Sequence, residues 1–363
     1  MTSEPLARTA VITGPEMLEV RDLSLPQPGA DDVLVAVEAC GICGSNLHEW
    51  RHPDRRLTAG AEPAPGAAGH EVVARVLAAD VSSGWSPGDR AVIEPNRVTA
   101  CGRCTSCVEG VAWFCRDRRE VPSWGFATHM VVPRRSLFPV PEGLPADVAT
   151  LVEPTACVVH ALRHSWSASR LLGRLDDLNV TILGAGVTGL LAIAAARYLG
   201  ARSIAITARH PQQVRAAAAL GADLVIDASG GDVVDRLRAH GADVTLEAVG
   251  GRADTFDLAC RTTAARGEVV VLGLFDAPVT IDARRAVFRE LRTFFPVTYA
   301  TLDGIHDFEV ALAVLAGLGG TAGELVTHRF PLDAVSEAFR AAAEKRDGAL
   351  RVVVTPGTVI ADR

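Results

Sequence analysis

The sequence predicts an α/β protein in two parts, a β-rich barrel-like domain and a doubly wound parallel-sheet domain. Up to about residue 145, short β-branched runs such as DVLVAVEA and HEVVARVLA alternate with Gly/Pro-rich turns (PQPGADD, APGAAGHE, SSGWSPGD). From Leu178 onward, strand-like runs alternate instead with Ala-rich helical runs. Near the start of the second region, a glycine loop follows an apolar strand and opens a helix.

The first pattern continues through FATHMVVP and SLFPVPEGL, and residues 147–172 take helical spacing. NVTILGAG then leads into VTGLLAIAAARYLGA, SIAIT into HPQQVRAAAALGA, and LVID, VTLEAVG and EVVVLGLF complete a βα series. Beyond it stand two helical runs, DFEVALAVLAGL and DAVSEAFRAAAEK, and a last strand, ALRVVVTP. The expected organisation is a β-rich domain at 1–157, a dinucleotide-type domain at 158–296, and a segment at 297–363 that rejoins the first.

Composition narrows the partners. The 363 residues are 48% hydrophobic and 22% charged, with a net charge of −7, a globular balance with no basic excess for a nucleic-acid backbone. A small-molecule ligand is expected. Residues 179–196 carry no charge, but their three glycines and strand-then-helix pattern fit a buried βα unit better than a membrane span. The opening MTSEPLART lacks a cationic stretch followed by an apolar one, so a cytoplasmic location is expected.

Gly184-Ala185-Gly186-Val187-Thr188-Gly189 has the G-x-G-x-x-G spacing in the required strand-to-helix context. Gly184 would permit the tight turn, Gly186 the approach of a pyrophosphate, and Gly189 close packing of helix on sheet. At the end of the next strand, where a carboxylate would accept from a ribose 2′-OH, stands Ala208, followed by Arg209. A guanidinium there suits a 2′-phosphate, which favours NADP over NAD, unless Arg209 merely faces solvent.

Four of the eight cysteines, Cys101, Cys104, Cys107 and Cys115, are spaced C-x2-C-x2-C-x7-C. Such a set closes a tetrahedral all-thiolate site with no open position, so a structural zinc is expected in a lobe at about 96–120. In GICGSNLHEW, Cys43 follows Cys40 as C-x-x-C, which reads as a redox pair, part of a core, or one corner of a metal site. A redox motif should open a helix after a strand, and this one lies in β-rich sequence. Cys43, His70 and Glu153 together, far apart along the chain, suit a catalytic zinc with one position left open.

In combination, GICGSNLH (41–48), GHE (69–71), the cysteine lobe, VEP with VHAL (152–162), GAGVTG (184–189), LEAVGG (246–251) and VVLGLF (270–275) make the chain resemble the zinc-dependent medium-chain dehydrogenase/reductase family of the alcohol dehydrogenase superfamily, in its polyol, sorbitol and threonine dehydrogenase branch. The resemblance implies a GroES-like catalytic domain, a Rossmann domain, an active site between them, and a homodimer or homotetramer. It implies hydride transfer between NAD(P) and a secondary alcohol or ketone, with a polyol, sugar, cyclitol or amino alcohol as substrate. It gives Cys43, His70 and Glu153 as ligands of the catalytic zinc, with Glu71 behind the metal or bound to it directly. Ser45 would take the substrate proton and His48 pass it to solvent. Leu272, Gly273 and Leu274 would face the nicotinamide, and Arg351 would lie near the cofactor phosphates.

Asn46 departs from the family, which usually has Asp there; an amide cannot supply that negative charge. Trp50 and Trp124 would either line a substrate pocket or pack as ordinary aromatics. Two other readings compete. A zinc-free quinone or enoyl reductase shares the fold but lacks the Cys43, His70 and Glu153 set, and a zinc- and nucleotide-binding protein without activity would be inert toward alcohols and ketones.

Overall fold

The computed structural model describes residues 6–53, 69–119 and 124–357. Part of the turn APGAAGHE (64–68), the first five residues and the far end of the cysteine lobe at residue 120 lie outside them. Two compact units form: one from Met1–Glu153 and Leu325–Arg363, the other from Pro154–Glu324.

The first unit begins with the strands β1 (Leu6–Gly14), β2 (Met17–Ser24), β3 (Asp32–Gly41), β4 (Glu71–Ala79), β5 (Arg90–Ile93), β6 (His129–Pro133) and β7 (Leu137–Pro139). The second contributes β8 (Asn179–Leu183), β9 (Ser203–Ala208), β10 (Leu224–Asp227), β11 (Val244–Glu247), β12 (Glu268–Val271), β13 (Arg292–Phe294), and the short β14 (Thr301–Leu302) and β15 (Ile305–His306). The chain then returns with β16 (Val326–Pro331) and β17 (Arg351–Thr355).

In the first unit β1 and β2 form a hairpin, and a larger sheet runs β16-β17-β3-β4-β5-β7 with β6 also on β3. Its central strands carry Val, Ala and Cys at buried positions, as expected of strands covered on both faces. Cys40, Val72, Phe126, Met130 and Phe339 share one apolar core with Trp50. Phe339 lies edge-on to Phe126 at 5.3 Å and to Trp50 at 5.8 Å. Trp50 is thus a packed core aromatic, and Trp124 packs half-buried against the same core.

Glu38 is the polar element of this sheet. Arg75 on β4 sits directly opposite Arg90 on β5, two like charges that would repel. Glu38 takes Arg90 Nε at 2.5 Å and Arg75 Nη2 at 2.8 Å, turning the repulsion into a three-residue network.

The second unit is a parallel sheet ordered β10-β9-β8-β11-β12-β13. Numbered from its own first strand this is 3-2-1-4-5-6, the Rossmann order, with the strand order reversing between β8 and β11. The helix Val187–Tyr198 follows β8 and buries eight of its residues, so the uncharged span 179–196 is interior βα structure. The sequence reading ended this domain at 296. In the structure residues 297–324, including the helix Asp307–Leu318, cluster with it, because that helix buries Phe308, Val310, Ala311, Leu312, Val314 and Leu315.

Burial would raise the Glu38 carboxyl, but hydrogen bonds from Arg90 and Arg75 hold it below the ordinary carboxylate range. A carboxyl lowered in the folded state stabilises above that range and loses the contribution as pH falls. Glu38→Gln is therefore expected to lower the melting temperature at pH 7, and the gap to wild type should narrow as pH falls below 4; thermal melts across pH measure it.

Candidate metal centre and nucleotide loop

Cys43 stands at the N-cap of the helix Gly44–Arg51, in extended backbone just after β3. Asn46, three residues on and 2% exposed, turns its Oδ1 back to accept the Cys43 N–H at 3.0 Å. The Cys43 sulfur in turn accepts from the Asn46 backbone, a reciprocal capping arrangement. An amide oxygen meets this bond as an aspartate would, which accounts for the shape of the substitution; only the charge is lost.

Donor atoms of Cys43, His70 and Glu71 all lie within 4.8 Å of one another. Burial pushes the Cys43 thiol up, but hydrogen bonds from His70 and Ser45 and the His70 charge together lower it to about 6. A thiol held as thiolate near neutrality beside an imidazole and a carboxylate is a donor set that fits zinc. Ser45 Oγ is 3.5 Å from His70 Nε2. His48 lies one helical turn beyond Ser45, on the same face. Cys40, by contrast, is fully buried in the core with its thiol driven upward by desolvation.

Glu153, in the first turn of the helix Val152–Arg163, is 7% exposed. It lies outside the tight donor set among the described residues, yet near enough that its charge raises the Cys40 thiol and the Glu94 carboxyl.

Arg351 corrects the sequence reading. It is 3% exposed inside the first unit, ion-paired with Glu71 and donating to the Ile42 carbonyl at 3.1 Å. Burial lowers its guanidinium to about 10. Its charge is committed to Glu71, so it presents none to a phosphate. Gly41 lies against this pair, and a Cβ there would collide with both partners.

The four-cysteine lobe closes as its spacing requires. Cys104 Sγ is 3.5 Å from Cys107 Sγ and 3.8 Å from Cys115 Sγ, and Cys101 Sγ is 4.0 Å from Cys107 Sγ. Four thiolates about 2.3 Å from one zinc stand roughly 3.8 Å apart, whereas disulfide sulfurs lie at about 2.05 Å. The lobe fits a zinc held by sulfur alone. Entry to it is fixed by Glu94, which sequence reasoning missed. This buried carboxylate caps the helix Pro95–Thr99 by accepting from Asn96 N and Arg97 N, and burial pushes it up to about 7.

In the second unit the glycines occupy the positions their roles demand. Gly184 has φ +101°, and a Cβ on Gly189 would overlap the Gly184 carbonyl oxygen. Among the described residues a Cβ on Gly186 would meet nothing within 4 Å, and Gly186, the N-cap of the helix that begins at Val187, has no side chain to cap it. The first N–H groups of that helix, at Val187, Thr188 and Gly189, are therefore open to an anion, which fits a pyrophosphate. Ala208 is buried at the end of β9 and Arg209 is exposed. A cavity of about 560 Å³ lies there, lined by Ala208, Arg209, His210, Arg215, Asp227 and Arg236 among others. Arg215 and Arg236 were not legible as partners of Arg209, since they come from the next two helices.

Leu272 and Gly273 both donate backbone N–H to the Glu247 carbonyl, and Leu274 is 66% exposed. Glu247 itself, fully buried, accepts from Val249 N, Gly250 N and Thr255 Oγ1, fixing the loop after β11 beside the loop after β12. It lay within the quoted motif LEAVGG, but nothing in the sequence marked it as the anchor.

The alcohol dehydrogenase GroES-like domain family matches residues 29–142, and the zinc-binding dehydrogenase family matches residues 187–317. A structure described as a zinc-binding dehydrogenase of Sinorhizobium meliloti 1021, bound to NADP, is 30% identical with a TM-score of 0.79, over 97% of this chain and 100% of that one. The L-threonine 3-dehydrogenase of Chromobacterium violaceum is 28% identical over 91% of this chain and 94% of its own. The L-idonate 5-dehydrogenase structure of Escherichia coli has a TM-score of 0.81 at 25% identity, over 97% of this chain and 99% of that one. The chain belongs to the zinc-dependent medium-chain dehydrogenases of the alcohol dehydrogenase superfamily. It is an oxidoreductase of CH–OH groups in small alcohols, using zinc and a nicotinamide nucleotide.

Loss of an N-terminal capping acceptor costs about 1 kcal/mol. Asn46→Ala is expected to lose about that much stability in urea unfolding, while Asn46→Asp, which keeps the acceptor for Cys43, should lose less than half of it.

Proposed function

We propose that the protein is a two-zinc, NADP-preferring dehydrogenase of a polyol, sugar, cyclitol or amino alcohol, working in the cytoplasm as a homodimer or homotetramer. The observation that carries this reading is the convergence of Cys43, His70 and Glu71 donors within 4.8 Å, with Ser45 against His70. Cys43, His70 and Glu153 would hold the catalytic zinc, with Glu71 held behind by Arg351, and Cys101, Cys104, Cys107 and Cys115 the structural one. When bound, the catalytic zinc supplies Lewis-acid polarisation of a substrate oxygen near neutral pH.

The chain's own groups do the rest. Ser45 accepts the hydroxyl proton of the substrate, and His48, one turn along the helix, hands it outward. Gly184, Gly186, Val187, Thr188 and Gly189 bind the pyrophosphate with backbone N–H groups, and Leu272, Gly273 and Leu274 border the nicotinamide, steadied by Glu247. Arg209, Arg215 and Arg236 around the cavity beside Ala208 support the NADP preference, since a 2′-phosphate carries charge that a ribose hydroxyl lacks. The substrate class rests on the threonine and idonate dehydrogenase relatives. For the assembly, the exposed Val287, Phe288 and Phe295 flank β13, the edge strand of its sheet.

A panel of alcohols, polyols and ketones assayed with NADP and NAD side by side tests the reading. NADP should support the higher kcat/KM, and Arg209→Ala should raise KM for NADP about ten-fold or more, as expected for one lost charge-assisted contact, with little change for NAD. An NAD preference in the wild type would overturn the cofactor assignment. Cys43→Ala should abolish turnover and lower zinc from two per chain to one, with NADP binding retained. Full activity at unchanged zinc content would overturn the metal assignment.

A further inference from the structure

A third constellation, in the second unit, belongs to neither donor set above. His160 and His164 stand four residues apart at the end of the helix Val152–Arg163, with the His164 N–H continuing the turn onto the His160 carbonyl. Both imidazoles face Asp307, the first residue of the helix Asp307–Leu318. His160 Nδ1 is 3.0 Å and His164 Nε2 3.5 Å from the same oxygen, Asp307 Oδ2, and the two ring centroids are 4.3 Å apart. We propose that His160, His164 and Asp307 form a binding site for a divalent transition-metal ion, distinct from both zinc sites, with two imidazoles and one carboxylate on one side of the ion.

Hydrogen bonding alone leaves the cluster incomplete. Asp307 is fully buried, and its Oδ1 accepts from Arg163 Nη1 at 2.8 Å while Oδ2 accepts the Ala300 N–H at 2.8 Å. His160 Nδ1 completes Oδ2. His164 Nε2 is buried and aimed at the same oxygen, but at 3.5 Å the contact is at the outer limit of hydrogen bonding, and among the described residues nothing else meets that nitrogen. A buried imidazole nitrogen without a partner is costly unless something else uses its lone pair.

An ion does so. Donors about 2.1 Å from one ion at angles of 90–110° are separated by roughly 3.0–3.5 Å, the spacing of both imidazole nitrogens from Asp307 Oδ2, and all three donors lie within 4.8 Å of one another. Two histidines at i and i+4 on one helix face are a common way of presenting such a pair. Arg163 and Ala300 then act as ligating carboxylates usually require, gripping the carboxylate from behind and orienting it. The Arg163 guanidinium also cancels the Asp307 charge, which favours nitrogen-preferring ions such as Ni²⁺, Co²⁺ or Zn²⁺ over Ca²⁺ or Mg²⁺. His164, with a side chain 19% exposed, is the rim through which an ion enters and water completes its shell.

Titration of the zinc-loaded full-length protein with Ni²⁺, followed by calorimetry and by absorption, tests this. The wild type should take up one Ni²⁺ per chain with zinc content unchanged and only weak visible bands, since nitrogen and oxygen ligands give no thiolate charge transfer. His164→Ala should bind it at least about ten-fold more weakly, with turnover, zinc content and melting temperature near wild type. Should His164→Ala fold poorly, His164→Gln serves as the second variant, with the same expected loss. No uptake beyond zinc, uptake with strong charge-transfer bands, or equal binding by the variant would each overturn the site.

Discussion

The first unit depends on one buried ion pair, Glu71 with Arg351. Glu71 opens β4 directly after His70, and Arg351 opens β17, so the pair joins strands 280 residues apart in sequence. Neither charge reaches water, and an isolated buried charge would be far more costly than the pair. The pair also accounts for Gly41, the residue on the strand between, where a side chain would collide with both partners. Cys43 follows two residues later, so the same charge pair fixes the backbone from which the metal donors project.

The donors themselves are held by short-range devices. Asn46 pins the Cys43 amide, Ser45 and His70 depress its thiol, and Glu94 terminates β5 and caps the helix leading to the cysteine lobe. In the register of β4 and β5, Val72 faces Ile93, so Glu71 and Glu94 lie at the same end of neighbouring strands. Arg351 neutralises the first, and Arg97, whose Nε lies 3.3 Å from Glu94 Oε2, pairs with the second. The sheet thus gathers carboxylates at one end without leaving their charges opposed.

Much of this was legible in the sequence, and for identifiable reasons. The glycine loop and the cysteine lobe are local motifs whose spacing alone dictates geometry, so Gly184, Gly189 and the four cysteines stand where their spacing put them. Strand–helix alternation gave the parallel sheet because each strand is short and covered on both faces. Arg351 was misread because its partner is fixed by long-range register, which no local pattern encodes. Glu94 and Glu247 were missed because a buried carboxylate bonded to backbone N–H groups looks, in sequence, like any surface acid. The return point at Leu325 was hidden for a similar reason. The helix Asp307–Leu318 is apolar on most sides, and its composition does not say which core it joins.

The interrupted first unit has a consequence for the order in which the molecule is made. Synthesis from the N-terminus completes residues 154–324 while β16 and β17 are still unmade. The parallel-sheet unit can then close around its own core, but the β-rich sheet must wait, with β3 open along the edge that β17 will take. Glu71 waits as well, a carboxylate without its guanidinium until residue 351 arrives. The metal-donor end of the sheet is therefore the last part of the chain to mature.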